Sequence, residues 1–295
     1  MARYAIITTC KGRLAHLRES LPTFCAFPDA EVVVVDYGCP ENAGQWVKDH
    51  MPGVTVVRVD EPGEFNVCRA RNAGAAASQA DVLFFVDADV KLDPAGAAEI
   101  GERILPGSYG VVGLDSEDLQ DLGGSCLVHR GDFDRAGGYD EVLRGYAMED
   151  VDLYDRLEFL GVKSTTVSRR WFSAIPHSNE LRMQFRSGRK NETQLVGLVY
   201  RKFLGAMRRL QRTAIIDVGT RELVYKQSQT LVRQLLASPN PAGGLQIGLA
   251  IPVADQAEEI GAGVSFEINL ALKMKPKDPV RFLHRYGSGK SLLMR

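Results

Sequence analysis

The chain has almost no net charge: 36 Lys and Arg against 37 Asp and Glu leave a formal charge of -1 over 295 residues. Nothing in that balance draws the whole molecule to nucleic acid, so any electrostatic role is local. Cysteine is sparse too. The five (Cys10, Cys25, Cys39, Cys68, Cys126) are odd in number and scattered. No C-x-x-C pair suggests a structural zinc site, and free thiols in a reducing cytosol are the simplest reading. No apolar run approaches the length of a membrane span, although a chain without a span can still rest on a membrane surface. Residues Met1 to Ile7 run straight into a strand-like segment without a signal-peptide layout, which makes a cytoplasmic location the expectation. Internal repeats and low-complexity segments are missing as well. What is present is an ordinary globular composition, 45% hydrophobic and 25% charged, in a length that suits one large domain or a domain with an appendage.

The first half alternates strand and helix signals. Tyr4 to Thr8 reads as a first strand. A helix follows from about Arg13, with Leu14, Leu17, Leu21 and Phe24 on one face. Glu31 to Val35 is a β-branched strand ending in Asp36, and Val54 to Val59 is another. Phe65 to Ala80 has helical character, weakened by Gly74. Asp81 to Val86 is a buried strand. This alternation predicts a mainly parallel sheet covered on both faces. Past Asp93 and Pro94 the pattern becomes mixed: strands over Tyr109–Leu114 and Ser125–Val128, a turn at Gly137–Gly138–Tyr139, a helix from Glu149 to Leu160 stopped by Gly161, and a strand over Lys163–Ser168.

Two carboxylates, Asp87 and Asp89, emerge where the Asp81–Val86 strand ends. That edge is where open α/β sheets bind ligands. Paired carboxylates repel unless something positive lies between them, and a hard divalent cation, with a substrate's phosphates supplying further oxygens, meets that need. Asp-x-Asp also arises by chance in turns; its position after a buried strand raises its weight. A second cluster, Tyr146 with Glu149, Asp150 and Asp152, opens the Glu149 helix. Acids favour helix N-termini through the dipole and through capping. That accounts for one or two of them, but not for the aromatic set after Gly145. An Asp there could also accept a proton from an attacking hydroxyl. The third candidate is His177, in a loop after a strand and Pro176. A lone histidine is usually a surface or core residue, but an imidazole could complete a site with Asp87 or Asp89, most naturally for manganese.

These features fall in a familiar order: Thr8–Thr9, Val35–Asp36, Phe65–Asn66 with Arg69 to Gly74, Asp87–Ala88–Asp89, Gly137 to Glu141, Tyr146 with Glu149–Asp150, and His177. The set resembles nucleotide-sugar glycosyltransferases of the GT-A fold, in particular the β-1,4-galactosyltransferase-like and chondroitin-polymerase-like groups. It covers roughly residues 4 to 180. The resemblance implies a Rossmann-like, mainly parallel α/β catalytic domain over 1–180, with a donor half (1–93) and an acceptor half (94–180). A basic, partly helical extension over 181–295 follows.

It also implies roles. Asp87 and Asp89 match the carboxylate motif that holds Mn²⁺ (Mg²⁺ as the alternative) and the donor's ribose and diphosphate, with His177 as the downstream metal ligand. Asp150 matches the catalytic base, and Glu149 lies beside it in the acceptor pocket. Thr8, Asp36, Phe65 and Arg71 match donor contacts, Asp36 near the uracil. Tyr146 and Gly138 match the acceptor region. Tyr146 stands where a Trp is common, and Ala147–Met148 replaces a glycine pair. The implied reaction is inverting transfer from a UDP-sugar to a hydroxyl of a saccharide or glycolipid.

Between Leu181 and Arg212 there are nine cations and one acid, Glu192. Helical spacing from Leu195 to Leu210 allows a solvated helix packed on the catalytic domain. It also allows a peripheral contact of residues 182–212 with an anionic membrane, at the inner face for a cytoplasmic protein. The Gly287 to Ser291 string lacks the first glycine and the following helix of a phosphate-binding loop. Two rival functions fit the sequence less well. A sugar-phosphate nucleotidyltransferase would carry a glycine-rich loop with Arg and Lys after its first strand, which Thr9 to Arg13 is not. A non-catalytic nucleotide-sugar-binding module would not need the intact Asp87, Asp89, Asp150 and His177.

Overall fold

A run of four β-branched residues, Val32 to Val35, is fully buried in this protein, and it forms the second strand of the sheet that carries the rest. The structure, a computed structural model, describes residues 3–61, 63–113 and 122–237, with the backbone of two further strands at 245–252 and 265–272. In chain order the elements are β1 (Tyr4–Cys10), α1 (Leu14–Cys25), β2 (Ala30–Asp36), α2 (Ala43–His50), β3 (Thr55–Arg58), α3 (Val67–Ala76), β4 (Val82–Phe85), β5 (Val90–Leu92), α4 (Ala97–Arg103), β6 (Ser108–Val112), β7 (Cys126–His129), α5 (Arg130–Arg135), α6 (Glu149–Phe159), β8 (Lys163–Val167), β9 (Phe172–Ala174), α7 (Asn179–Met183), α8 (Lys190–Gln211), α9 (Val218–Ala237), β10 (Leu245–Pro252) and β11 (Ser265–Leu272).

The main sheet has the order β3-β2-β1-β4-β7-β6-β8. Neighbours pair in parallel except around β7, which runs antiparallel to both β4 and β6. The chain divides into two compact units. One holds residues 1–145 and 149–188, and the other holds 146–148 and 189–295.

The apolar face read for α1 is the buried one: Leu14, Leu17, Leu21 and Phe24 join Ile6, Val32, Val34 and Phe84 in one core. On the opposite face of the sheet α3 lies close to β1 and β2. Asn66 caps it, accepting the Arg69 N–H at 3.1 Å, which satisfies one of the donors a helix start leaves open. Gly74 explains the close approach. A Cβ there would overlap the Ile7 Cγ2 methyl and lie 3.0 Å from Val35 Cγ2.

Gly74→Ala therefore sets two effects against each other. Helix propensity favours Ala by about 1 kcal/mol; overpacking a filled core costs about 1–3 kcal/mol. We expect a net loss of stability in urea unfolding, and an unchanged or raised midpoint would show that helix and sheet can part at no cost.

The second unit contains a helical hairpin. Val196, Val199, Tyr200, Phe203, Leu204 and Met207 of α8 are buried, as are Val224, Tyr225, Val232 and Leu235 of α9. Tyr200 and Tyr225 meet edge to face at 5.6 Å. The helix expected from Leu195 to Leu210 thus runs from Lys190 to Gln211, and α9 is a partner that the sequence reading did not separate out. The cations of residues 182–212 divide between surface and interior: Arg201 and Arg208 are buried. The Gly287 to Ser291 string lies outside the described residues.

Candidate active site

Strand β4 ends at Phe85, and the chain turns through Val86 to Asp89 at the edge of the sheet, the Val90 N–H donating to the Asp87 carbonyl at 3.1 Å. The three-residue β5 then pairs antiparallel with β9, Val90 opposite Ala174. The pairing continues one step further, with the Ile175 N–H donating to the Asp89 carbonyl at 2.7 Å. Two residues on comes His177. Its Nε2 lies 3.3 Å from Asp89 Oδ2, so a short non-local strand pair brings together side chains 88 positions apart (177 less 89).

The imidazole is oriented. Nδ1 lies 3.2 Å from the Ile175 carbonyl, and Arg182 Nε approaches Nε2 at 3.2 Å. With the proton on Nδ1 the ring donates to the Ile175 carbonyl and its Nε2 lone pair accepts from Arg182; a backbone carbonyl on the far nitrogen is the usual support of a metal-ligating histidine. Asp89 also accepts from Arg13 Nη1 at 3.2 Å. Burial raises the Asp89 carboxyl above its usual range; the charge of Asp87 adds to the rise, while His177 and Arg13 oppose it.

Asp87 faces another way. Its Oδ1 accepts from Arg71 Nη2 at 3.0 Å. Arg71, 3% exposed, is the hub of the site: Nη1 bonds the Asp150 carboxylate and lies 3.9 Å from Glu149 Oε1, Nη2 reaches the Gly124 carbonyl at 3.4 Å, and the guanidinium stands 4.9 Å over the Tyr139 ring. Asp150 opens α6. Burial pushes its carboxyl up to about 7; Arg71 holds that rise back, and the charges of Glu149 and Asp87 add to it.

The structure thus joins two sets, Asp89 with His177 and Asp87 with Arg71, Asp150 and Glu149. Among the described residues no three His, Cys, Asp or Glu side chains already converge as a cation site. The donor set nevertheless suits a hard or borderline divalent ion that completes its shell with phosphate and water oxygens: one carboxylate, one oriented imidazole, and a second carboxylate two residues away.

The other sequence candidates lie as follows. Thr8 is buried on β1 with no hydrogen-bond partner for Oγ1. Asp36 is fully engaged by the protein: Oδ1 accepts from the Cys39 N–H and Oδ2 from the Gly44 N–H, both at 2.7 Å, with Arg58 Nη1 at 2.9 Å. In this state it shapes the loop before α2. Phe65 is half-buried against Tyr37, ring centres 5.3 Å apart. Gly138 has φ +68°, and a Cβ there would press on Asn72 Oδ1. That amide holds the turn as a backbone would, accepting from the Tyr139 N–H at 2.8 Å and donating to the Tyr139 carbonyl at 2.9 Å. Tyr146 falls in the second unit, with Lys190 Nζ 4.7 Å over its ring. Met148 adopts φ +61°, the left-handed region that suits glycine, at one of the two positions where the resemblance anticipates glycine.

Arg13 and Arg182 are the residues the sequence reading missed. Arg13 belonged to a loop considered only for what it was not, and Arg182 was counted with a basic tail. The available signal was position: Arg13 immediately follows the loop at the carboxyl end of β1.

Two family models match successive stretches of the chain, glycosyl transferase family 2 over residues 5–114 and the N-terminal domain of galactosyltransferase over residues 112–182. No curated protein matches. Among solved structures, the mannosyltransferase PcManGT from Pyrobaculum calidifontis, in complex with GDP-Man and Mn²⁺, is 13% identical with a TM-score of 0.50, over 82% of this chain and 73% of that one. S. aureus TarS 1–349 in complex with UDP-GlcNAc is 15% identical with a TM-score of 0.54, over 79% and 72%. At such identities the structural likeness speaks for the fold. Fold and family matches together place this protein among the GT-A nucleotide-sugar glycosyltransferases.

Proposed function

We propose that this protein is an inverting glycosyltransferase that moves a sugar from a UDP-sugar to a hydroxyl of a saccharide or glycolipid acceptor, using a divalent cation, Mn²⁺ or Mg²⁺, in the cytoplasm. The observation that carries the reading is Arg71 spanning Asp87 and Asp150, which ties the donor-side carboxylate to the candidate base through one buried group.

Asp89 and His177 would hold the cation, with Asp87 alongside. When bound, it supplies Lewis-acid neutralisation of the departing diphosphate. Arg13 and Arg182, which already reach Asp89 and His177, add positive charge for the same anion. Phe65 lines the donor side, Thr8 lies buried on β1, and Asp36 keeps the loop beside α2 in shape. Glu149 faces the acceptor side, with Gly138 shaping the turn before it.

Asp150 takes the proton of the acceptor hydroxyl at its carboxylate as that oxygen bonds to the anomeric carbon. The bond to the diphosphate breaks and its electron pair leaves with the phosphate. A carboxyl that titrates at about 7 is matched to proton abstraction near neutrality. Asp150 acting alone as the base suits a single in-line displacement, hence inversion.

The test is a screen of UDP-sugars, with GDP-sugars beside them, for cation-dependent release of the nucleoside diphosphate. Slow release with one sugar, stimulated by Mn²⁺, is expected. A protein that binds a nucleotide sugar but releases nothing, with any cation or candidate acceptor, is a binding module instead.

A further inference from the structure

The turn between α8 and α9 exposes three aliphatic side chains within nine residues: Leu210 at 61%, Ile215 at 52% and Val218 at 57%. Their neighbours Ala214 and Ile216 are buried, so the turn divides its apolar residues between an inner and an outer side. It is also built to hold that division. Arg212 takes a left-handed φ of +53° and its N–H donates to the Arg208 carbonyl. The Ile215 N–H donates to Thr213 Oγ1 at 3.3 Å, and the Thr213 hydroxyl donates to the Ile215 carbonyl at 3.0 Å. Asp217 caps α9, its Oδ1 accepting the Thr220 N–H at 2.8 Å.

Charge at the turn is net positive. From Lys202 to Lys226 the exposed ionisable groups are Lys202, Arg209, Arg212 and Lys226 against Asp217 and Glu222, and the Asp217 carboxylate is committed to its cap. We infer that the α8–α9 turn is a docking tip for an anionic lipid surface, with Leu210, Ile215 and Val218 entering the headgroup boundary and Lys202, Arg209 and Arg212 meeting lipid phosphates.

The chemistry favours a membrane over a protein partner. Protein interfaces anchor on buried aromatic side chains and need on the order of 1,000 Å²; this turn has three aliphatics and no aromatic. A bilayer asks only for a few apolar side chains ringed by cations, because area and charge attraction add. The inference narrows the basic 182–212 stretch to its far end, since Arg182 serves His177 and Arg201 and Arg208 lie inside. It is independent of the transferase reading, since binding is read without catalysis.

The experiment is co-sedimentation of the full chain with vesicles of phosphatidylcholine alone and of phosphatidylcholine with phosphatidylglycerol. The expected result is pelleting with the anionic vesicles that is lost as salt shortens the reach of the charges. Ile215→Asp with Val218→Asp should remove most of it, and Lys202→Glu with Arg209→Glu should weaken it at least about fivefold per cation. All four positions are exposed, so far-UV circular dichroism should stay unchanged. Equal pelleting with neutral and anionic vesicles, no pelleting at all, or folded variants that bind like wild type would each overturn the inference. So would a concentration-dependent dimer that the same substitutions dissolve, because the tip would then be a contact between copies.

Discussion

Asp150→Asn should lower the turnover number by roughly 10²–10⁴-fold, the range that a positioned base contributes, while UDP affinity stays near that of wild type. The amide keeps the size of the carboxylate and an oxygen that can still accept from Arg71, so the network around Arg71 survives while the proton acceptor is gone. The wild-type enzyme carries a second signature. With its carboxyl at about 7, Asp150 is protonated and idle below neutrality, so kcat/KM should climb with pH through that value and level off above it. The sign of a neighbour's effect follows. Arg71 lowers the Asp150 pKa, and Arg71→Met should move the acid limb to higher pH whatever it does to the maximum rate. Calorimetry with UDP and a pH–rate profile decide the matter. If binding and turnover fall together in Asp150→Asn, Asp150 holds the site together and is not its base.

His177→Ala should raise the Mn²⁺ concentration for half-maximal activity by at least roughly 10–100-fold, the range seen when support to a metal site is removed. The substitution takes away one of the two donors that the β5–β9 pairing brings together, and with it the Nε2 that Arg182 approaches. The imidazole is itself buried, 4% exposed and edge to face with His16 at 5.6 Å, so thermal unfolding of the variant is measured beside the titration. Titrating Mn²⁺ into the protein while following its electron spin resonance signal reads binding without turnover. An unchanged titration curve would remove His177 as a ligand and leave it a role in placing Arg182.

What could be read from the chain beforehand was whatever repeats along it. Strands β1, β2 and β4 are runs of buried side chains, and the Leu14, Leu17, Leu21, Phe24 stripe has the helical period. Asp87 and Asp89 stood out because a strand ended just before them. The pairing of β5 with β9 could not be read, since three-residue strands are too short to show a period and their partners are about 80 residues apart. Arg13 escaped for a related reason: an ion pair between residues 76 positions apart has no spacing to detect. Arg182 lies only five positions from His177 but was hidden among the cations that follow it. Gly74 was legible as a weak helix residue, but its cause, contact with Ile7 and Val35, lies on two other elements. Asp36 shows the opposite case. Resemblance assigned it to the nucleotide, and the structure shows two backbone N–H groups and Arg58 already using its oxygens.

The clasp between β5 and β9 also bears on how the protein comes into being. Its first half is in place once residue 92 has left the ribosome, yet its second half waits for residue 174. A nascent chain can lay down β1 through β4 before Asp150 and His177, the proposed base and cation ligand, have been made. Long-range closures of this kind are slow steps. On the proposed roles, reactivity is withheld until most of the chain that must contain it exists.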